Sequence, residues 1–251
     1  MPKLTFTNLP DDKRQRFIDA AVEEFSSQPF RQASLTKLVQ KLGIAKGSIY
    51  QYFDNKLDLY RWLVLDEAER HKASHVEGAL LDDSVDLYTR LASHFTAHCY
   101  FHLAQPRLAR LVLGAREPTK DPELIDFHRE VRERELTFLR DLLAQGQQQG
   151  DVNPELDLNL AVRLTHRVLV DGLTDALLAA IGMDIFTYLD APFGAADALE
   201  YDDVSALVED SVAFVRRALQ PPVRIVGSEG DATVAPEFVG APTFDDVLGD
   251  D

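Results

Sequence analysis

From Pro10 to Leu219 the apolar positions recur at the three- and four-residue spacing of helices, and no stretch alternates apolar and polar residues as a half-buried strand would. Phe17, Ile18, Ala21, Val22 and Phe25 make one stripe of a first helix that ends before Pro29. Leu35, Leu38, Val39 and Leu42 make a second, shorter stripe closed by Gly43. A longer helix is predicted from Asn55 to about Gly78, with Tyr60, Leu63, Val64, Ala68, His71 and His75 on one face. Further helices are predicted at 84–104, 106–115, 122–149, 155–181 and 202–219, set apart by Asp82-Asp83, Pro106, the Pro118 to Pro122 loop, Gly150 to Pro154 and a stretch from Gly182 to Asp203. The fold class is all-α: a three-helix head, 1–56, joined by a long helix to a helical bundle, 57–221. A tail at 222–251, with five acids between Glu237 and Asp251, lacks periodicity and is read as flexible.

The segment from Ser34 to Tyr60 has the chemistry of a helix-turn-helix that enters a DNA major groove. Ser34 can cap the first helix, and Gly43 can take the left-handed conformation that ends it. Ile44, Ile49 and Phe53 are spaced to anchor a second helix on the first. Its other side then presents Lys46, Gly47, Ser48, Tyr50, Gln51 and Tyr52. Lys46 and the positive helix terminus suit phosphate, Gly47 permits close backbone approach, Gln51 can pair with an adenine edge, and Tyr52 can meet a phosphate or a thymine methyl. Asn55 and Asp58 make an N-cap pair for the next helix, which leaves Lys56 for a phosphate near that helix's positive end.

These residues resemble the TetR family of transcriptional regulators over about 50 residues: Ser34, Leu38, Val39, Gly43, the run Lys46-Gly47-Ser48-Ile49-Tyr50, then Tyr52, Phe53 and Lys56, preceded by Ile18, Ala20, Ala21 and Phe25. Val39 and Leu42 stand where the family has small residues, Ala45 where it has a capping Ser or Thr, and Pro29 where Gly is common. The resemblance implies a body that dimerises through its last two long helices and takes a small effector between the others. It also implies a near-palindromic double-stranded operator and repression that ends when the effector binds. An activator, or a regulator controlled by a protein partner through the acidic tail, is the alternative. Gly172, Ala176, Ala179 and Ala180 are small enough for close helix approach, and Val204, Leu207, Val208, Val212, Val215 and Leu219 form a long stripe. Both are candidates for the dimer contact, with burial inside one chain as the other reading.

The net charge of −16 argues at first against a nucleic-acid partner. Its distribution reverses that, because residues 1–56 hold nine Lys/Arg against six acids while the rest of the chain is strongly acidic. The Arg-over-Lys and Asp-over-Glu bias is compatible with a high-salt cytoplasm. The single cysteine, Cys99, allows no disulfide within the chain, and neither a signal-peptide core nor a membrane-length apolar run is present, so a cytoplasmic location is expected.

His94, His98 and His102 share one helix face with Phe95 and Phe101 nearby, and His71 and His75 repeat the spacing. One metal ion cannot take three histidines spread along about 12 Å of helix, and neither a metal nor a cofactor is expected. His94, Phe95, His98, Phe101 and His166 are instead candidates for an effector pocket, with Arg90, Arg110 and Arg116 as further polar groups. Cys99 beside His98 and His102 only imitates a catalytic dyad, since neighbouring helix positions diverge by about 100°. With no phosphate loop, nucleophile elbow or metalloprotease motif in the chain, no enzyme is expected.

Overall fold

Helix α1 (Leu4–Thr7) is a single turn that the apolar pattern does not announce. Its one apolar anchor, Phe6, is almost fully buried, with its ring centroid 5.3 Å from that of Phe17, 5.0 Å from Phe53 and 5.2 Å from Trp62. One aromatic residue in a four-residue helix leaves no periodicity to detect. The computed structural model describes residues 1–74, 85–190 and 201–221. His75, the Asp82-Asp83 separator, much of the Gly182 to Asp203 stretch and the 222–251 tail lie outside them.

The head follows with α2 (Asp11–Ser26), α3 (Leu35–Leu42) and α4 (Lys46–Tyr52). In α2 the predicted stripe faces inward: Phe17, Ile18, Ala21, Val22 and Phe25 are all buried, with Asp11 and Asp12 in the first turn where the helix dipole favours them. Ser34 Oγ accepts from Lys37 N–H at 3.3 Å and caps α3. Gly43 closes α3 at φ 67°, where a side chain would strain the backbone, and the Ile44 N–H returns to the Val39 carbonyl at 3.1 Å.

Helix α5 (Lys56–Trp62) starts at Asn55, whose Oδ1 accepts from Asp58 N–H at 2.9 Å. It continues through a π-helical stretch at Leu63–Glu67 into α6 (Ala68–Ala73), so the long helix contains a widened turn. The bundle is completed by α7 (Leu87–Ala104), α8 (Pro106–Arg116), α9 (Ile125–Gln149), α10 (Leu158–His166), α11 (Leu173–Ala180), α12 (Ile185–Asp190) and α13 (Tyr201–Leu219). Asp86 and Asp157 cap α7 and α10, and Pro106 sits at the start of α8, where its missing N–H has no helical partner to lose. A second π stretch, Arg167–Gly172, joins α10 to α11. The helix α12 falls in a segment read as loop, and Tyr188 explains why it docks: the ring is buried and its hydroxyl donates to the His102 carbonyl at 3.0 Å.

Packing divides into two apolar cores. The first runs without a break from the head, through Phe17, Phe25, Leu38, Ile49 and Phe53, into Tyr60, Leu63, Leu108, Val112 and Phe127. Residues 1–221 accordingly form one unit, and the core does not break at 56/57. The second core holds Leu87, Leu91, Leu139, Leu143, Val162 and Leu169. Gly146 lets α9 approach its neighbours closely, since a Cβ there would stand 2.7 Å from Leu87 Cδ2 and 2.9 Å from Val152 Cγ2.

The α13 stripe corrects one of the two candidates for the dimer contact. Val204, Val208, Val212, Val215 and Leu219 are buried within the chain against α7 and α11, and Leu207 is half-buried. The outward positions of the same region are Phe214 on α13, 62 % exposed, with Leu160 and Leu164 on α10, 57 % and 58 % exposed, while Gly172, Ala179 and Ala180 are exposed along the continuation of that helix.

Candidate nucleic-acid interface

Helix α4 is held by its apolar side and stripped on the other. Ile49 and the following Phe53 are buried at 1 % and 0 % exposure, which fixes the helix's rotation on the head. Lys46, Gly47, Tyr50 and Gln51 are then exposed on the outer side, Ser48 is half-buried, and no heavy atom lies within 4 Å of where a Gly47 Cβ would stand. Among the described residues Lys46 forms no ion pair, so its charge is uncommitted. As the Ala45 position implies, the N-terminus of α4 has no side-chain cap, and its first N–H groups are open to an acceptor from outside.

The other end of α4 is organised by the N-terminal segment, which sequence reasoning missed. Lys3 Nζ donates to the Tyr50 carbonyl at 2.9 Å and pairs with Asp54 at 2.7 Å, Lys3 N–H donates to the Tyr52 carbonyl at 2.9 Å, and the Thr5 hydroxyl donates to the Gln51 carbonyl. These donors satisfy carbonyls that the end of a short helix leaves bare. The only sequence signal was a lysine and a threonine shortly before Phe6, a pattern with no fixed meaning outside this fold.

Three expected contact residues, Ser34, Tyr52 and Lys56, have internal partners. Ser34 caps α3, and its own N–H donates to Glu24 Oε1 at 2.7 Å. Tyr52 packs edge-on against Phe17 at 5.5 Å and against Phe6 at 5.7 Å, leaving it half-buried. Beside it, Lys13 and Arg16 of α2 line a shallow hollow with Leu42 and Ile44. They are exposed cations on the same side of the head that the sequence reading did not single out.

Lys56 differs most from its expected role. Its ammonium donates to the Phe30 carbonyl at 2.8 Å and to those of Arg31 and Ala33 at 3.3 Å, and it sits 4.3 Å from the Phe30 ring centroid. Three donors meeting three carbonyls leave no hydrogen for a phosphate. Lys56→Met is therefore expected to lower stability by about 2 kcal/mol, the scale of charge-assisted hydrogen bonds lost from a partly buried loop. It should leave the salt dependence of DNA binding unchanged. A thermal melt together with a salt titration separates the two effects; a flattened salt slope at unchanged stability would return Lys56 to the phosphates.

In the body, α6, α7, α8 and α9 enclose a cavity of about 250 Å³. His94, Phe95 and His98 line it, with Val64, Val112 and Phe138 among its apolar walls and Lys72, Arg116 and Glu135 among its charged ones. Phe101 lies behind the wall and carries Lys72, whose ammonium is 5.4 Å from the ring centroid. His166 stands behind Glu135 and bonds its carboxylate at 3.0 Å. Burial acts to raise the Glu135 carboxyl, but Arg116 beside it, the His166 bond and Lys72 outweigh that and bring it down to about 2.

Burial holds His94 down at about 4, with Lys72 acting the same way, and holds His98 and His102 well below the usual imidazole range. His98 Nε2 meets Thr174 Oγ1 at 3.1 Å while that hydroxyl donates to the Val170 carbonyl at 2.6 Å. The proton of His98 is therefore on Nε2. Burial pushes the Cys99 thiol up to about 12, which removes it as a nucleophile. Among the described residues no three His, Cys, Asp or Glu side chains come together as metal ligands.

Residues 17–62 match the model of bacterial regulatory proteins of the tetR family. The chain is 26% identical over 166 residues to the fatty acid metabolism regulator protein of Bacillus subtilis, an alignment covering 64% of this chain and 82% of that protein. It is 27% identical over 158 residues to the HTH-type transcriptional regulator UidR of Escherichia coli K12, covering 63% of this chain and 80% of UidR. Among solved structures, a TetR family regulator from Chloroflexus aurantiacus superposes with a TM-score of 0.63 at 24% identity, covering 88% of this chain and 99% of that one. The fatty acid degradation regulator FadR of Bacillus halodurans gives 0.61 at 23% identity, covering 82% and 99%.

Proposed function

Because this chain belongs to the tetR family of DNA-binding transcription regulators and is not an enzyme, we propose that it acts as a homodimeric repressor that leaves a near-palindromic operator when a small molecule enters its body. One observation carries the proposal: the outer face of α4, with an uncommitted Lys46, an exposed Tyr50 and Gln51 and an open helix N-terminus, is held rigid by Ile49 and Phe53. Lys46 and the open N–H groups suit phosphates, and Gln51 suits a base edge.

The dimer rests on Leu160, Leu164 and Phe214, large apolar side chains left to water on α10 and α13, beside the exposed small residues that follow α10. Large apolar side chains left to water in this way suit burial in a self-complementary contact. Two heads then address successive major grooves about 34 Å apart. Release rests on the cavity, whose walls include Val64 and Leu65 of the helix that follows the reading helix, and Val112 and Arg116 of α8, which packs on α2 of the head. A ligand that fits only one arrangement of these helices shifts the heads by its differential affinity.

The test is a gel shift on DNA upstream of the protein's own gene across a salt series. The full chain should bind specifically, and Lys46→Ala should weaken binding to all sequences and reduce the slope of log K against log salt by about one for each lost phosphate contact in each subunit. Failure of a folded dimer to bind that DNA specifically at any salt concentration would sink the repressor reading.

A further inference from the structure

The cavity in the body carries an unbalanced buried charge. Arg116, 9% exposed, and Lys72, 12% exposed, face a single well-buried acid, Glu135, 18% exposed. The partner of Lys72 is Glu69, which also lines the cavity, lies 2.7 Å away and is 58% exposed, so the pair gains little from its contact. Arg134 at the rim is 55% exposed and already paired with Glu130 at 3.1 Å. The best-buried charges of the site are thus two cations and one acid, with the second acid, Glu69, at the water-exposed edge.

The hydrogen bonds point the same way. Arg116 uses Nε and Nη2 on Glu135, each at 2.6 Å, while its buried Nη1 has no partner among the described residues. A guanidinium with one edge committed and one buried nitrogen unpaired is short of one acceptor. Next to this cluster His102 is fully buried with neither ring nitrogen hydrogen-bonded, its ring 4.6 Å from that of His98. Unsatisfied polar groups of this kind gather where a ligand or solvent completes the structure.

The remaining wall is apolar: Val64, Phe95, Val112, Val131, Phe138 and Leu139, with the His94 ring stacked 4.2 Å from Phe138. Burial keeps the His94 and His98 imidazoles neutral, so neither adds positive charge near neutral pH. The volume, about 250 Å³, lies just below the usual range for drug-sized ligands and favours a compact body over a long chain.

We propose that this cavity binds a small organic monocarboxylate, its head beside Lys72 and the Arg116 guanidinium and its compact apolar body against the Phe95, Val112 and Phe138 wall. The binding claim stands on the cavity alone, whereas its effect on DNA rests on the ligand-release reading given above. Glu135 is the selectivity element: it remains ionised and holds the guanidinium, so a dianion meets repulsion and a neutral amide leaves the positive charge unanswered.

The experiment uses the full chain at pH 7.5 and matched probes: benzoate, benzamide and benzylamine, and hexanoate, hexanamide and hexylamine. Binding is read by calorimetry and melting temperature. A carboxylate in at least one series should bind, with its amide and amine at least tenfold weaker. Lys72→Gln, which keeps the Arg116–Glu135 pair, should weaken the carboxylate at least tenfold. The neutralised pair Arg116→Gln/Glu135→Gln should abolish the preference for it.

An amide or amine that binds as well as its carboxylate overturns the proposal, as does a carboxylate indifferent to both variants or the failure of both carboxylates to bind. A carboxylate that binds as expected but leaves DNA affinity unchanged supports the site and sinks ligand release. A neutral compound that frees the operator, with neither carboxylate binding, sinks the site and leaves release standing.

Discussion

Phe214→Glu is expected to convert the protein to a monomer and to lower operator affinity by about 10²- to 10⁴-fold, the range lost when two linked binding events become independent. The side chain is 62% exposed in the single chain and packs into neither core, so a glutamate there should leave the fold intact. In a two-fold contact the same residue enters twice, and the substitution introduces two carboxylates into an apolar interface. Leu164→Glu should behave in the same way from α10. Light scattering reads the mass, a melt confirms the fold, and a gel shift reads the affinity. If both variants melt normally and remain dimeric, the contact lies elsewhere and this face needs another explanation.

Acidification should strongly destabilise the body before its carboxylates are titrated. His94 is held at about 4, and His98 and His102 well below the ordinary imidazole value, because burial disfavours their charged forms; Lys72 adds to this for all three and Arg116 for the latter two. In the unfolded chain each titrates near 6.5. The stabilisation is thus complete above about 6.5 and is lost as pH falls towards 4 and below, with the unfolded state taking up the extra protons.

Each histidine contributes a slope of up to about 1.4 kcal/mol per pH unit, so three acting together remove about 6 kcal/mol by pH 5, comparable to the lower end of a typical domain's stability of about 5–15 kcal/mol. The Glu135 carboxyl, down at about 2, works in the same direction at still lower pH. Melting temperatures from pH 8 to 4.5 check this, with His102→Phe as comparison. A curve that stays flat down to pH 5 would mean that the imidazoles find water or partners on protonation.

Much of the head was legible from sequence because its signals are local. The Ser34 cap, the left-handed Gly43 and the Asn55 cap each depend on a few neighbouring residues, and each occurs as the chemistry requires. What escaped depends on distant partners. Lys56 lies near a helix start, as read, but its ammonium bonds three carbonyls at 30–33 that only the folded head brings to it. Lys3 and Thr5 finish α4 from nearly fifty residues away.

On α13 the periodic Val204 to Leu219 stripe gave the helix and its sidedness but not what covers it. The stripe belongs to the chain's own core, and a single phenylalanine on the opposite side is the exposed one. In the cavity His94 and His98 were legible as a shared face with Phe95 nearby, and Arg116 as a candidate polar group, whereas the pairing of Arg116 with Glu135 from a different helix exists only in three dimensions.

The unbroken core across the head and α8 bears on how such regulators diversify. Helix α2 rests on α8, Tyr60 Oη reaches the Leu111 carbonyl at 3.5 Å, and Arg31 pairs with Asp121 at 2.6 Å. A chimera that grafts residues 1–56 onto another body would therefore carry half of a packed surface and meet a mismatched one. The inheritable module is the head with α8 as its matching bed. Because α8 also supplies Val112 and Arg116 to the cavity, a change of operator made by swapping the head together with this bed would alter what the body recognises.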